Sequence, residues 1–412
     1  MSSTISILIR VLFLFLIDLY AYQAFKTIFP DKTWLKIVFW GFHILLYAAM
    51  GALIPSMFNG SIKESHIFLF FSLIIALYIP KALIDIVLMV EDISRFVRFI
   101  ASFFTENKVI APHGHQISRA RFMSQTALVL GAIPFVAIIN GIIRTKYNYQ
   151  VNKIKIPILD LPAEFEGFTI TQISDLHSGS FDNLDEVARG MDLVNAQKSD
   201  IIVFTGDLIN FNIKEVEGFQ PIYSKLKAKE GVLATLGNHD YYYSNREAGK
   251  EEKAAHLEKV AGTHATYGWK LLRNQNHIIQ RGEAKLAMLG VDNWGNSQYF
   301  PQEGKLDLAI QGAEEAQVKV LLSHDPSHWD AVVRPEFPSV NLTLSGHTHG
   351  FQFGIEIPGF KFSPAQWMYP QWAGLYQQAQ QYLYVNRGFG FLGFSGRVGI
   401  RPEITVLELV RA

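Results

Sequence analysis

The chain has 412 residues, 37 basic and 37 acidic side chains, and 49% hydrophobic, 13% aromatic and only 18% charged residues. Soluble domains carry about 25% charge, so this balance excludes a disordered or nucleic-acid-coating chain and places part of the sequence in lipid. Cysteine is absent, which excludes disulfides, thiolate nucleophiles and Cys-ligated zinc or iron–sulfur centres.

Residues 4–25 and 34–55 are apolar runs of 22 residues each, close to the roughly 20 that a helix needs to cross the hydrocarbon core. A third run, 66–90, carries Pro80, Lys81 and Asp85, and a fourth, 123–143, carries no charge. The pattern predicts four spans in a membrane domain over residues 1–147. For the third run an interfacial or re-entrant helix is the alternative, because Lys81 and Asp85 are costly in lipid unless paired. Their i,i+4 spacing would let them neutralise each other. Arg10 and Asp18 in the first run read as a snorkelling cation and a carboxylate facing a neighbouring helix, not as an ion pathway.

Lys26, Lys32, Arg95, Arg98, Lys108, Arg119 and Arg121 make the first and third loops the more basic, which puts those loops in the cytoplasm. The stretch Ser118-Arg119-Ala120-Arg121-Phe122-Met123 reads either as a degenerate twin-arginine export signal or as a basic anchor. Both readings place the chain beyond residue 145 on the outer face of a bacterial-type plasma membrane.

From residue 148 to 412 the apolar runs shorten and acquire turn residues, as in a water-soluble domain. Buried strands are expected at 168–173, 201–205, 232–236, 319–322 and 340–344, with helices near 184–197, 213–228, 250–260 and 305–317. That alternation predicts an α/β architecture. Each expected strand is followed at once by metal-type side chains: Asp175 and His177; Asp207; Asn238, His239 and Asp240; His324; and His347 and His349. Ligands gather in this way outside the carboxyl ends of sheet strands. The i,i+2 spacings of Asp175 with His177 and of His347 with His349 suit an extended backbone, which turns alternate side chains to one face. Gly206, Gly237, Gly346 and Gly350 would let the backbone turn sharply and approach an anion. One Gly-Asp is usually a turn and one strand-end histidine usually a core residue, but five such motifs in succession point to a metal centre.

The ordered set Asp-x-His, Gly-Asp, Gly-Asn-His-Asp, His, Gly-His-x-His resembles the calcineurin-like metallophosphoesterase superfamily. Together with the four spans, the segment LYVNRGFGFLGFSGRVGIRPEITVLEL resembles the membrane-anchored branch that includes UDP-2,3-diacylglucosamine hydrolases. The resemblance covers residues 150–412 and implies a two-sheet β-sandwich flanked by helices, with two divalent metal ions. It assigns Asp175, His177, Asp207 and His349 to one ion and Asp207, Asn238, His324 and His347 to the other, Asp207 bridging. Nitrogen and oxygen donors of this kind suit Mn, Fe or Zn. Two such ions activate a shared water and orient a phosphoryl group, so the implied nucleophile is a metal-bound hydroxide. His239 would protonate the leaving group, and Asp240 would fix its tautomer or, alternatively, only close a turn. Phe351 stands where the family often has a second glycine.

The aromatic stretch 351–376 suits acyl chains, a membrane interface, or packing under a long loop. Arg387, Arg397 and Arg401 suit a diphosphate or salt bridges. The expected protein is a membrane-anchored two-metal phosphohydrolase, a phosphodiesterase or pyrophosphatase for a lipid-linked or nucleotide-linked substrate. Its partners would be the bilayer and that phosphate-containing substrate, with no nucleic acid, since no basic stripe is present. The alternatives are a UDP-2,3-diacylglucosamine hydrolase, whose cytoplasmic substrate conflicts with an outward-facing domain, a nonspecific phosphomonoesterase, and a metal-binding membrane sensor without catalysis.

Overall fold

The computed structural model describes residues 3–58, 62–104, 119–241 and 248–412, in two compact units, Met1–Asn140 and Gly141–Ala412. Lys108 and Ser118, used above for orientation, lie outside the described residues.

The first unit is built from four helices, α1 (Ser3–Ile28), α2 (Thr33–Phe58), α3 (Glu64–Ser102) and α4 (Arg119–Ile143), all long and apolar enough to cross a membrane. The third run is therefore one continuous helix of 39 residues that passes through Pro80. Large apolar side chains such as Leu12, Phe13, Leu45 and Val129 face outward, while Ala21, Ala24, Ile84, Leu88 and Ala127 form the interior. Small residues bring such helices close, since lipid offers no hydrophobic drive between them. At Gly131 a Cβ would sit 2.7 Å from the Ile84 side chain, so only glycine allows this approach of α4 to α3.

Lys81 and Asp85 do not pair as their spacing suggested. Lys81 Nζ instead lies 2.6 Å from Asp18 Oδ1 on α1, and Asp18 also accepts from the hydroxyls of Tyr47 and Tyr78. The deeper carboxylate on the neighbouring helix offers the ammonium a better-buried partner. His43 joins the cluster. Its Nδ1 faces Phe39 O at 2.6 Å and must donate, which leaves Nε2 to accept from Lys81 at 2.5 Å.

The second unit begins seven residues earlier than the break expected at 147/148, because the chain there is already tied to it. Arg397 N donates to Gly141 O at 3.3 Å, and Lys146 and Tyr147 bond Asp182 at 2.6 and 2.7 Å. Its strands are β1 (Gln150–Ile158), β2 (Thr169–Ile173), β3 (Ile201–Thr205), β4 (Val232–Thr235), β5 (Lys270–Leu271), β6 (Gln275–Arg281) and β7 (Ala284–Gly290). They continue with β8 (Val318–Leu322), β9 (Leu342–Ser345), β10 (Ile355–Ile357), β11 (Phe360–Phe362), β12 (Gly374–Gln378), β13 (Gln381–Val385) and β14 (Glu403–Arg411). One six-stranded sheet has the order β1-β14-β2-β3-β4-β5 and the other β12-β13-β9-β8-β7-β6. Within them β2, β3 and β4 run parallel, as do β7, β8 and β9. These strands are near-continuous apolar runs because both of their faces are covered. Ile170, Val203, Leu286, Val320, Leu344 and Leu407 meet between the sheets, which gives the sandwich its central core.

Helices flank the sheets, but two expected ones are largely absent. α5 (Leu184–Asn195) is capped by Asn183, which accepts from Asp185 N and Glu186 N. The 213–228 stretch breaks into a 3-10 turn, Ile213–Val216, and one helical turn, α6 (Gln220–Tyr223), because Gly218 takes φ +88°. α7 (Lys250–Thr266) runs beyond its expected end. Of 305–317 only α8 (Leu306–Ala309) is helical, and the chain turns at Gly312, φ +80°. The carboxyl ends of β2, β3, β4, β8 and β9 carry all the loops that the sequence marked.

Candidate metal centre

The ligand-type residues leave their strands in left-handed turns. Asp175, His177, Asp207, His347 and His349 have φ of 55°, 49°, 61°, 72° and 50°. The extended backbone inferred from the i,i+2 spacings is thus replaced by turns: β2 ends at Ile173 and the chain must reverse at once. Each such residue costs about 1–2 kcal/mol, and strain of this sort persists where surrounding bonds over-determine it. Those bonds are present. Asp175 N donates to Gly206 O at 2.9 Å, His177 N to Asp207 O at 3.1 Å and Gly346 N to His324 O at 2.9 Å.

The loops also hold each other's carboxylates. His347 N donates to Asp175 Oδ1 at 3.0 Å, and His239 N donates to Asp207 Oδ1 at 2.8 Å. Glycine precedes each of these contacts for a steric reason. A Cβ on Gly346 would sit 2.2 Å from Asp175 Oδ2, and one on Gly237 would sit 2.2 Å from Asp207 Oδ1. These two glycines therefore make room for the ligands themselves, not for an anion.

Two groups of donors result, Asp175 with His177 and His349, and Asp207 with His324 and His347. Asp207 Oδ2 lies between them, 3.5 Å from His177 Nε2 and 3.1 Å from His324 Nε2. His177 Nε2 and His349 Nε2 approach to 3.1 Å, and His347 Nδ1 and His324 Nε2 to 3.3 Å. Imidazole nitrogens this close share either a proton or a cation. Asn238 Oδ1 is buried with no hydrogen-bond donor among the described residues, an amide oxygen left over beside Asp207. Converging imidazole nitrogens, two carboxylates and an orphaned amide oxygen fit divalent first-row ions. Neighbours set the tautomers. His324 Nδ1 faces Thr205 O at 2.7 Å and must donate, which aims Nε2 at Asp207 and the site, where an ion can displace the proton it carries. His347 Nε2 meets Tyr369 Oη at 2.7 Å, which turns Nδ1 toward the site.

Charge couples the residues. Burial opposes ionisation of Asp207, yet His324 and His239 hold its carboxyl well below the usual range. Burial would likewise lower His324, but the Asp207 carboxylate raises it to about 10. Burial keeps His177 neutral, well below the usual histidine range.

Asp240 does not orient His239. Its carboxylate accepts from Gly237 N at 2.9 Å, Leu208 N at 3.0 Å and Asp207 N at 3.1 Å, which locks the Asp207 loop to the Asn238–Tyr241 turn. That turn folds Asp240 back under the loops, where burial and the charge of Asp207 raise it to about 7. His239 is held instead by Asn210 O, 2.7 Å from its Nδ1, which must donate. The 210–212 loop is pinned in turn by Glu215, whose carboxylate accepts from the amides of Asn210, Phe211 and Asn212.

A family model of the calcineurin-like phosphoesterase domain matches residues 168–351, and one described as "Probable Calcineurin-like phosphoesterase, transmembrane domain" matches residues 3–146. The Bacillus subtilis metallophosphoesterase YkuE is 31% identical over 255 residues, which cover 60% of this chain and 81% of that protein. The chain belongs to the calcineurin-like phosphoesterase family. Escherichia coli phosphodiesterase YaeI is 30% identical across 59% of this chain and 82% of its own length. A Danio rerio transmembrane protein with metallophosphoesterase domain is 28% identical across 70% of this chain, which spans 63% of that relative. Family membership and the four helices make the chain a multi-pass membrane protein with a metal-dependent phosphoester hydrolase domain.

The three arginines that suggested a diphosphate site are used inside this family fold. Arg387 Nη1 pairs with Glu403 at 2.6 Å and its other arm with Glu356, Arg401 bonds Asn148 Oδ1 at 2.7 Å, and fully buried Arg397 donates to Gly388 O at 3.0 Å. Arg397 Nη2 also lies 3.4 Å from His349 Nδ1, behind the centre. Asn210, Glu215 and Tyr369 escaped the sequence reading. Only Tyr369 had a signal, its place in the aromatic stretch.

Proposed function

We propose that this protein hydrolyses phosphodiesters or phosphoanhydrides of a lipid-linked or nucleotide-linked substrate, with its catalytic unit on the outer face of a bacterial-type plasma membrane. The observation that carries the reading is the convergence of both donor groups on Asp207, with His239 at the rim on the same carboxylate. In this reading Asp175, His177, Asp207 and His349 hold one divalent ion, and Asp207, Asn238, His324 and His347 the other. The ions, when bound, supply Lewis acidity toward phosphoryl oxygens and make water acidic enough to attack at neutral pH.

The chain's own residues do the rest. Because Nδ1–H of His239 donates to Asn210 O, the Nε2 edge is left to face a phosphoryl oxygen, and in the imidazolium form Nε2–H gives its proton to the departing oxygen and leaves the neutral, Nδ1-protonated ring. Asp240 and Glu215 keep the two loops from moving apart during that transfer. The name of the E. coli relative supports a diester over a monoester. The basic first and third loops support the outward orientation, which in turn disfavours a cytoplasmic UDP-lipid as substrate.

The test is turnover by the full chain in detergent of a bis-aryl phosphodiester, an aryl monoester and a UDP-linked diacyl sugar, with Mn²⁺ and with chelator. Chelator-sensitive turnover of the diester is expected, with kcat lower by about 10²–10⁴ in His239→Ala at unchanged metal content. Preference for the UDP-lipid would narrow this reading to the UDP-lipid hydrolase and overturn the diester preference and the outward orientation. Folded, metal-loaded protein inert toward all three would sink it in favour of the sensor.

A further inference from the structure

The hairpin of β10 and β11 pairs Ile355 with Phe362, Glu356 with Lys361 and Ile357 with Phe360. Cross-strand partners share a face, and successive residues alternate. One face thus carries Glu356 and Lys361, the other Ile355, Ile357, Phe360 and Phe362. On a half-solvated antiparallel pair the apolar face packs inward and the polar face meets water. Here the order is reversed. Glu356 pairs with buried Arg387, and Lys361 Nζ reaches Ala373 O at 2.5 Å, so the charges are turned to the domain. Ile355, Ile357 and Phe360 are 53%, 58% and 53% exposed, and Trp367 and Met368 in the turn that follows are 74% and 67% exposed.

The attachments of the hairpin indicate what covers it. At its base Gly354 N donates to Val398 O at 2.9 Å and Gln352 Nε2 to Phe394 O at 2.8 Å, and the same loop bonds Gly141 through Arg397 N. Gly141 belongs to the last turn of α4, where Ile143 and Arg144 are exposed. The hairpin therefore hangs from a loop bonded to Gly141, the residue at which this unit begins and the chain leaves its last membrane-crossing segment. On its other side it grips the metal loops. Ser363 Oγ donates to Gly350 O at 2.7 Å, next to His349, and Tyr369 meets His347. Contiguous exposed apolar side chains mark interaction sites, and Trp with aliphatic neighbours is the composition of a lipid–water boundary.

We propose that this hairpin and the Trp367–Met368 turn dip into the bilayer surface, and that the metal centre draws amphipathic phosphate esters from that surface. The second half rests on the hydrolase reading above; the first does not.

The absence of native cysteine makes single-site labelling direct. Phe360→Cys, Trp367→Cys and Glu283→Cys variants of the full chain, each carrying a nitroxide, would be reconstituted in phosphatidylcholine–phosphatidylglycerol vesicles. Glu283 lies in the exposed turn before β7, at the end of its sheet opposite the metal loops. Labels at 360 and 367 should lose accessibility to a water-soluble nickel chelate and gain relaxation by oxygen relative to 283. Labels at 360 and 367 as open to the chelate as 283 would overturn the insertion. For the substrate class, Ile357→Glu/Phe360→Glu should lower the ratio of vesicle-borne to water-soluble phosphodiester turnover by about tenfold, and an unchanged ratio would overturn it. Shielded labels without chelator-sensitive hydrolysis of either substrate would remove the hydrolase reading and leave the insertion standing.

Discussion

In the membrane unit, buried Asp18 is met by Lys81, Tyr47 and Tyr78, and Lys81 is met in turn by His43. In the catalytic unit, Asn238 Oδ1 has no donor among the described residues, and two pairs of imidazole nitrogens crowd to 3.1 and 3.3 Å. Both sites contain carboxylates and histidines and both are out of water, but the Asp18 cluster satisfies its own hydrogen bonds, with Asp85 Oδ1, one turn from Lys81, left outside it without a partner among the described residues. A polar cluster that satisfies itself needs nothing from solution and holds helices together. Imidazole pairs, two carboxylates and an orphaned amide oxygen brought to one place are instead a donor set that a divalent cation can share.

That contrast can be broken most sharply at Asp207. Asp207→Ala removes the one carboxylate shared by both donor groups, so turnover should fall to background and bound metal, counted by mass spectrometry of the native protein, should drop in both sites. Retention of two ions would mean that the groups act independently.

In the membrane unit the corresponding change is Lys81→Met, which leaves Asp18 buried without its cation. Truncating one partner of a buried pair costs about 3–5 kcal/mol, read as a lower unfolding temperature in detergent. Adding Asp18→Asn should recover most of that loss. A double variant no more stable than Lys81→Met would show that the cluster is more than a self-contained pair.

The smallest effect lies away from both sites, at His264, whose burial lowers it to about 4 and whose Nδ1 faces Val260 O at 3.0 Å. The unfolded chain takes up this proton below about pH 6.5, while the folded protein resists until about 4. Stability therefore falls as pH drops through that window, by at most about 3 kcal/mol from this residue. Denaturant melts of His264→Gln should be flatter between pH 6.5 and 4, and an equal slope would exclude His264 as the cause.

Much of this was legible in the sequence. Four apolar runs became α1 to α4, because hydrocarbon thickness sets a length that any such run reveals. Five strand-end motifs became five metal-type loops on two sheets, because parallel strands buried on both faces must be apolar and must end together. Expectations failed where a contact depended on a residue far away in the chain. Spacing alone could not tell that Lys81 prefers Asp18, 63 positions away, to Asp85 on its own helix. Nor could it tell that His239 leans on Asn210 O while its neighbour Asp240 turns under the loops, since adjacent side chains on a tight turn point to different places.

Local pattern thus determined which residue types stand at the strand ends and which segments are lipid-compatible, because period, length and composition act within a few residues. The partner of each buried charge, the left-handed turns that bring Asp175, His177, Asp207, His347 and His349 together, and the outward apolar face of the β10–β11 hairpin were decided only by tertiary structure. Those depend on which backbone amides and carbonyls the folded chain happens to bring within about 3 Å of one another, and no local pattern carries that distance.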